Sequence, residues 1–132
     1  MGRRLILDTT VLIAYERGAI DRAALDDDEL AAASISAAEY RTGIELADTP
    51  ERAAERARAL ATITSVIDVL DYTTVTAAHH ARLLAHVRRS GTPRGAHDLI
   101  IAAHAAETGR LLLTRDANAR FGDLPGITAI NA

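Results

Sequence analysis

The stretch "LILDTTVLIA", Leu5 to Ala14, decides the fold. Leu5, Ile6 and Leu7 form a short apolar run of the kind that becomes a buried strand, and Asp8 ends it with a charge. Thr9 and Thr10 can open a helix whose apolar face is Val11, Leu12 and Ala14. Asp8 therefore sits at a strand-to-helix junction, where an aspartate on its own serves as a helix cap.

The bulk properties limit what that carboxylate can do. A chain of 132 residues with 48% hydrophobic and 25% charged residues is expected to form one globular unit over 1–132. The absence of cysteine excludes disulfides, thiolate metal sites and thiol nucleophiles, and suits a reducing cytoplasm. All 15 basic residues are arginine, so Schiff bases, a phosphate-binding P-loop and a receiver-domain phosphorylation site are closed. A net charge of -3 and only 3% aromatics argue against a protein that coats nucleic acid by bulk charge or by stacking. No apolar run approaches the roughly 20 residues of a membrane span, and neither a signal peptide nor a membrane is expected.

Outward from Asp8, strand and helix signals alternate. "DDDE", Asp26 to Glu29, reads as a solvated loop, and "LAAASI", Leu30 to Ile35, as a short strand. Ser36 and Glu39 have the spacing of a capping box and predict a helix opening at Ser36. Pro50 opens another helix, and Val66 to Leu70 reads as a strand. A long helix from Thr76 closes at Gly91; "DLIIAAHAAETG", Asp98 to Gly109, is apolar nearly all round and should be a buried central helix. "LLLT" follows at once, and the tail holds a turn or short helix before a last strand, "ITAI". This order predicts an α/β sandwich with a parallel sheet and right-handed crossovers.

In such folds ligands bind at the carboxyl ends of the strands. Four carboxylates reach that edge: Asp8 after the first strand, Glu39 in the first turn after the second, Asp98 at the head of the buried helix, and Asp116 two residues beyond "LLLT". Each has a structural explanation as a cap, a dipole partner or a turn former. Together they repel one another and resist ionisation, a cost that a hard divalent cation with oxygen ligands offsets. Zinc is disfavoured, because the histidines lack a zincin spacing and the adjacent His79 and His80 face different ways, most simply at the surface. His104 reads as a satisfied core histidine, and His97 as a neighbour of the rim.

The segments "LILDTTVLIA", "SAAEYRTG" and "GTPRGAHDLIIAAHAAETGRLLLTRDANARF" together resemble a PIN-domain ribonuclease, and within that group the VapC toxins of bacterial toxin-antitoxin pairs. The resemblance implies a PIN-like three-layer sandwich, a short central parallel sheet flanked by helices, with an acidic pocket at its carboxyl edge. It implies that Asp8, Glu39, Asp98 and Asp116 are catalytic and bind Mg²⁺ or Mn²⁺. It also implies a cytoplasmic RNA substrate, a homodimer and a cognate VapB-type antitoxin.

A metal-activated water would then attack a phosphodiester in line, with a second ion roughly 3.5–4 Å away able to stabilise the leaving oxygen. Asp8 and Asp98 are the expected direct ligands, with Glu39 and Asp116 binding metal or positioning water, and Thr9 and Thr114 holding the carboxylates in place. Arg94 and Arg115 are candidates for phosphate contact. An aspartyl-phosphate phosphatase needs an Asp-x-Asp pair, and Thr10 occupies the second position. The remaining alternative is a non-catalytic PIN-fold module that binds RNA or a partner; its usual mark is loss of acids, and all four are present.

Overall fold

The computed structural model describes residues 2–132; Met1, the first residue of the expected unit 1–132, lies outside the described residues. Five parallel strands form one sheet in the order β3-β2-β1-β4-β5: β1 (Arg4–Leu7), β2 (Glu29–Ala33), β3 (Asp68–Leu70), β4 (Leu111–Thr114) and β5 (Ala129–Asn131). The helices are α1 (Thr9–Glu16), α2 (Ser34–Glu45), α3 (Pro50–Thr64), α4 (Thr74–Ser90) and α5 (Ala96–Thr108), with short 3-10 turns between Arg22 and Leu25 and in the tail. The expected α/β architecture with a parallel sheet is present.

Successive side chains of a strand point to opposite faces, and β1 uses this to join two cores. Ile6 packs on one side with Leu83, Leu99, Ile101, Leu112 and Phe121, from α4, α5, β4 and the tail. Leu5 and Leu7 pack on the other with Val11, Leu12, Ile63 and Leu113, from α1, α3 and β4. Leu5, Ile6 and Leu7 are fully buried, each worth about 1.5–3 kcal/mol of apolar transfer. The sheet is therefore the middle of three layers. Gly91 and Gly109 end α4 and α5 in the left-handed region, φ 69° and 65°, as their positions in the sequence indicate.

Several expectations need correction. The Asp26–Glu29 run is not simply solvated: Asp28 takes the Arg3 guanidinium at 2.8 Å and its side chain is only 7% exposed, while Glu29 begins β2 and pairs with Arg110. Strand β2 ends at Ala33 and α2 starts at Ser34, so the helix does not open at Ser36. Strand β3 is shorter than expected, because the amides of Val66 and Ile67 bond back to Ile63 O at the end of α3. Helix α4 opens two residues before Thr76, capped by Thr73 in a capping box with Thr76. Ile127 belongs to a turn closed on Leu124 O, which leaves β5 to begin at Ala129.

His104 lies in the core between α5 and α4, 1% exposed, its ring edge-on to Tyr72. It is not fully satisfied: Nδ1 is 3.9 Å from Glu107 Oε1 and Nε2 has no partner among the described residues. His79 and His80 are half-buried rather than surface residues, and His80 Nδ1 meets the Tyr72 hydroxyl at 2.8 Å. Burial, foremost, holds the His104 pKa below 6.5, with His80 adding to the effect and Glu107 and Asp71 opposing it. A neutral buried imidazole contributes stability that is present above the unfolded pKa near 6.5 and lost as pH falls through the lower folded value. Urea midpoints measured from pH 7.5 down to 5 are expected to fall more steeply for the native chain than for His104→Leu.

Candidate active site

The chain order of the strands reverses between β1 and β4, and the crevice outside such a switch point is where open parallel sheets bind ligands. Asp8 follows β1 and Asp116 follows β4, so the two flank that crevice. Helix α2, which begins as β2 ends, carries Glu39 to the same edge, and α5 begins there with Asp98 in its first turn.

Asp8 is 3% exposed and both of its oxygens are engaged. Oδ1 accepts from Thr10 Oγ1 at 2.6 Å and from the Val11 amide at 2.9 Å, so Asp8 does cap α1. Oδ2 accepts from Thr114 Oγ1 at 2.5 Å. The Thr114 hydroxyl in turn accepts from the Asp116 amide at 2.9 Å, which ties the end of β1 to the end of β4 through one side chain. Asp116 Oδ1 accepts from the Asn118 amide at 3.0 Å and starts a 3-10 turn.

The capping box expected of Ser36 and Glu39 is absent. Ala33 occupies the cap position of α2 without a side-chain bond, and Glu39 lies in the second turn rather than the first. Ser36 is fully buried against α1, 3.0 Å from Thr9 Oγ1. Thr9 also donates to Glu39 Oε1 at 3.3 Å, and that same oxygen meets His97 Nδ1 at 3.0 Å. Thr9 and Thr114 thus each hold one of the acids, and His97 touches the rim.

Asp98 stands at the centre of the electrostatics. Its pKa is raised above 3.8, first by burial and then by Asp116, Asp8 and Glu39, with His97 opposing. Each of the other three acids is thus near enough to act on it. Gly95 makes room for it: a Cβ at that position would stand 3.0 Å from Asp98 Oδ2. Gly95 and the Thr10 hydroxyl were not singled out by sequence reasoning; the Gly-x-x-Asp spacing at the head of a buried helix is the signal that marks the first.

Arg94 requires a correction. Its guanidinium donates to the carbonyls of Ala119 and Arg120 at 2.6 and 2.7 Å and lies 4.0 Å from Asp123, so it fastens the tail to the loop before α5 and is not free for a phosphate. Arg115 is exposed next to Asp116.

The donor set suits a hard cation, since it is all carboxylate oxygen and the crowding that raises Asp98 is the penalty a bound cation relieves. As placed, no three acids or histidines among the described residues close around a point. The bonds from Thr10 and Val11 fill Oδ1 of Asp8, whereas Oδ2 accepts only from Thr114 among the described residues and retains a lone pair for a cation.

The sequence matches the model of the PIN domain over residues 5–125. The chain belongs to the PIN-domain family. Among PIN proteins it is 36% identical over 127 residues to "Ribonuclease VapC5" of Mycobacterium tuberculosis, covering 95% of this chain and 90% of that one. It is 33% identical over 107 residues to the "tRNA(fMet)-specific endonuclease VapC" of Salmonella typhimurium, covering 81% and 78%. The fold of a DNA-bound VapBC complex from Salmonella typhimurium superposes with a TM-score of 0.84 at 30% identity, over 99% of this chain and 98% of that one. The VapC resemblance and the PIN-like sandwich are therefore both found in this PIN domain.

Two outcomes follow from the geometry. Folding a charged Asp98 is unfavourable, and stability is lost as pH rises from below the unfolded value near 3.8 through the raised folded value. Asp98→Asn is expected to raise Tm at pH 7 in EDTA, with the gain disappearing toward pH 4. Thr114→Val removes a donor from a buried carboxylate and is expected to cost about 1–3 kcal/mol in chemical denaturation, whereas Thr114→Ser should stay close to native.

Proposed function

We propose that the chain is a metal-dependent endoribonuclease and the toxin of a type II toxin-antitoxin pair, with residues 1–132 acting as one PIN domain. The observation that carries this reading is the set of four carboxylates at the switch point, three of which raise the pKa of Asp98. The relatives named as ribonuclease and endonuclease supply the substrate class, RNA. The VapBC complexes among its structural neighbours support a VapB-type antitoxin as partner. A homodimer and a cytoplasmic location complete the proposal; among the described residues no helix is long and apolar enough to cross a membrane.

Asp8, Asp98, Glu39 and Asp116 would hold Mg²⁺ or Mn²⁺. When bound, the cation supplies an activated water and neutralises charge on the phosphate. The chain's own residues do the rest. Thr114 and Thr10 fix the direction of the Asp8 carboxylate, and Thr9 and His97 fix that of Glu39. A ligand held by such partners keeps its geometry without reorganising during the reaction. Arg115, exposed beside Asp116, is the remaining candidate for contact with the substrate phosphate.

Purified chain incubated with total cellular RNA is expected to yield discrete fragments with Mg²⁺ or Mn²⁺, none with EDTA and none from Asp98→Asn. Intact RNA under every condition, from folded protein free of antitoxin, would favour the non-catalytic binding module instead.

A further inference from the structure

We propose that single-stranded RNA continues from the acidic rim into the groove between α1, α2 and α3, where Arg17 and Arg52 hold the phosphates that flank the cleaved bond. The inference rests on the ribonuclease reading above. The groove is a cavity of about 460 Å³, and Glu39 is on its wall, so it adjoins the acidic rim at that residue. The lining sets Arg17, Arg52 and Arg56 against Glu16, Glu39 and Glu55, so its formal charge is balanced and any hold on phosphate falls to the individual guanidinium groups.

A polyanion approaching four carboxylates on a chain of net charge -3 needs fixed cations beside them. Most other arginines near the sheet are committed: Arg94 to the tail carbonyls, Arg110 to Glu29 and the Leu5 carbonyl, Arg3 to Asp28. The groove arginines differ. Arg17 is exposed and its guanidinium makes no hydrogen bond or ion pair among the described residues. Among the described residues the Arg52 side chain pairs only with Asp48, four residues before it, in an exposed contact that a phosphate can displace. Arg56 donates to the Gly43 carbonyl at 2.6 Å and so joins α3 to α2, shaping the groove rather than reading it.

The walls suit a nucleotide chain. Gly43 leaves its part of the groove open, since a Cβ there would meet nothing within 4 Å. Tyr40, half-buried on the wall one residue beyond Glu39, offers an aromatic ring for a base to stack on. With Arg115 beside Asp116 and the groove beside Glu39, cationic side chains flank the acids on two sides.

The test uses Asp98→Asn protein, which binds without cutting, and a fluorescent mixed-sequence single-stranded RNA followed by anisotropy across a salt series. Adding Arg17→Gln and Arg52→Gln is expected to weaken binding at least tenfold and to reduce the slope of log K against log salt by about 0.7 for each phosphate that is no longer neutralised. In the cutting protein the same pair should raise KM more than it lowers kcat. Arg58→Gln with Arg82→Gln, exposed on α3 and α4 and outside the lining of the groove, removes equal charge and serves as the control. Equal losses from both pairs, or none from the groove pair while the native chain still cuts RNA, would overturn the groove and leave the ribonuclease standing. Groove variants that bind RNA normally but no longer capture the antitoxin would assign the groove to protein. Absence of both cutting and binding would remove the ribonuclease reading itself, and the groove with it.

Discussion

A carboxylate buried at the end of a central strand must have its oxygens satisfied, or the strand and the helix after it cannot share that junction. Asp8 meets this demand from three directions: the backbone of α1, the Thr10 hydroxyl and the Thr114 hydroxyl at the end of β4. The last bond matters most for the fold's geometry. Strands β1 and β4 are neighbours in the sheet but far apart in the chain, and the switch point opens at their ends. Through Thr114 the position of Asp8 becomes linked to that of Asp116, so two of the acids share one support.

That support opposes a real repulsion. Burial and then the three other acids at this edge raise the pKa of Asp98, and without a cation the arrangement is a local loss of stability carried by the rest of the core. The apolar layers on both faces of the sheet supply the offset, with β1 contributing Ile6 to one and Leu5 and Leu7 to the other. Sites of this kind trade stability for a prepared geometry.

The features legible in the sequence are those set by local chemistry. The apolar triplet of β1, the all-round apolar α5 and the glycines closing α4 and α5 are readable because strand period, helix burial and left-handed caps are each decided within a few residues. Asp8 is legible both as a cap and as a rim acid, and it is both in position. Ser36 and Glu39 depart from the role their spacing suggests, because that spacing satisfies a local motif while α1, from elsewhere in the chain, offers Thr9 as a partner. Arg94 and Asp28 depart from expectation for the same reason: their partners lie 25 residues away, at a distance no local pattern encodes. The groove beside Glu39 is invisible in the sequence, since it exists only once three helices have packed.

The Arg94 clasp has a consequence for how such a chain can vary. By gripping two successive carbonyls in the tail, it fixes the path of Ala119 and Arg120, the latter in the left-handed region at φ 48°, relative to the loop that launches Asp98. Insertions between β4 and that point would displace the carbonyls from the clasp, whereas residues added after β5 would not. The tail is therefore divided into a measured part, whose length is set by the distance from β4 to Arg94, and a part free to lengthen or diverge.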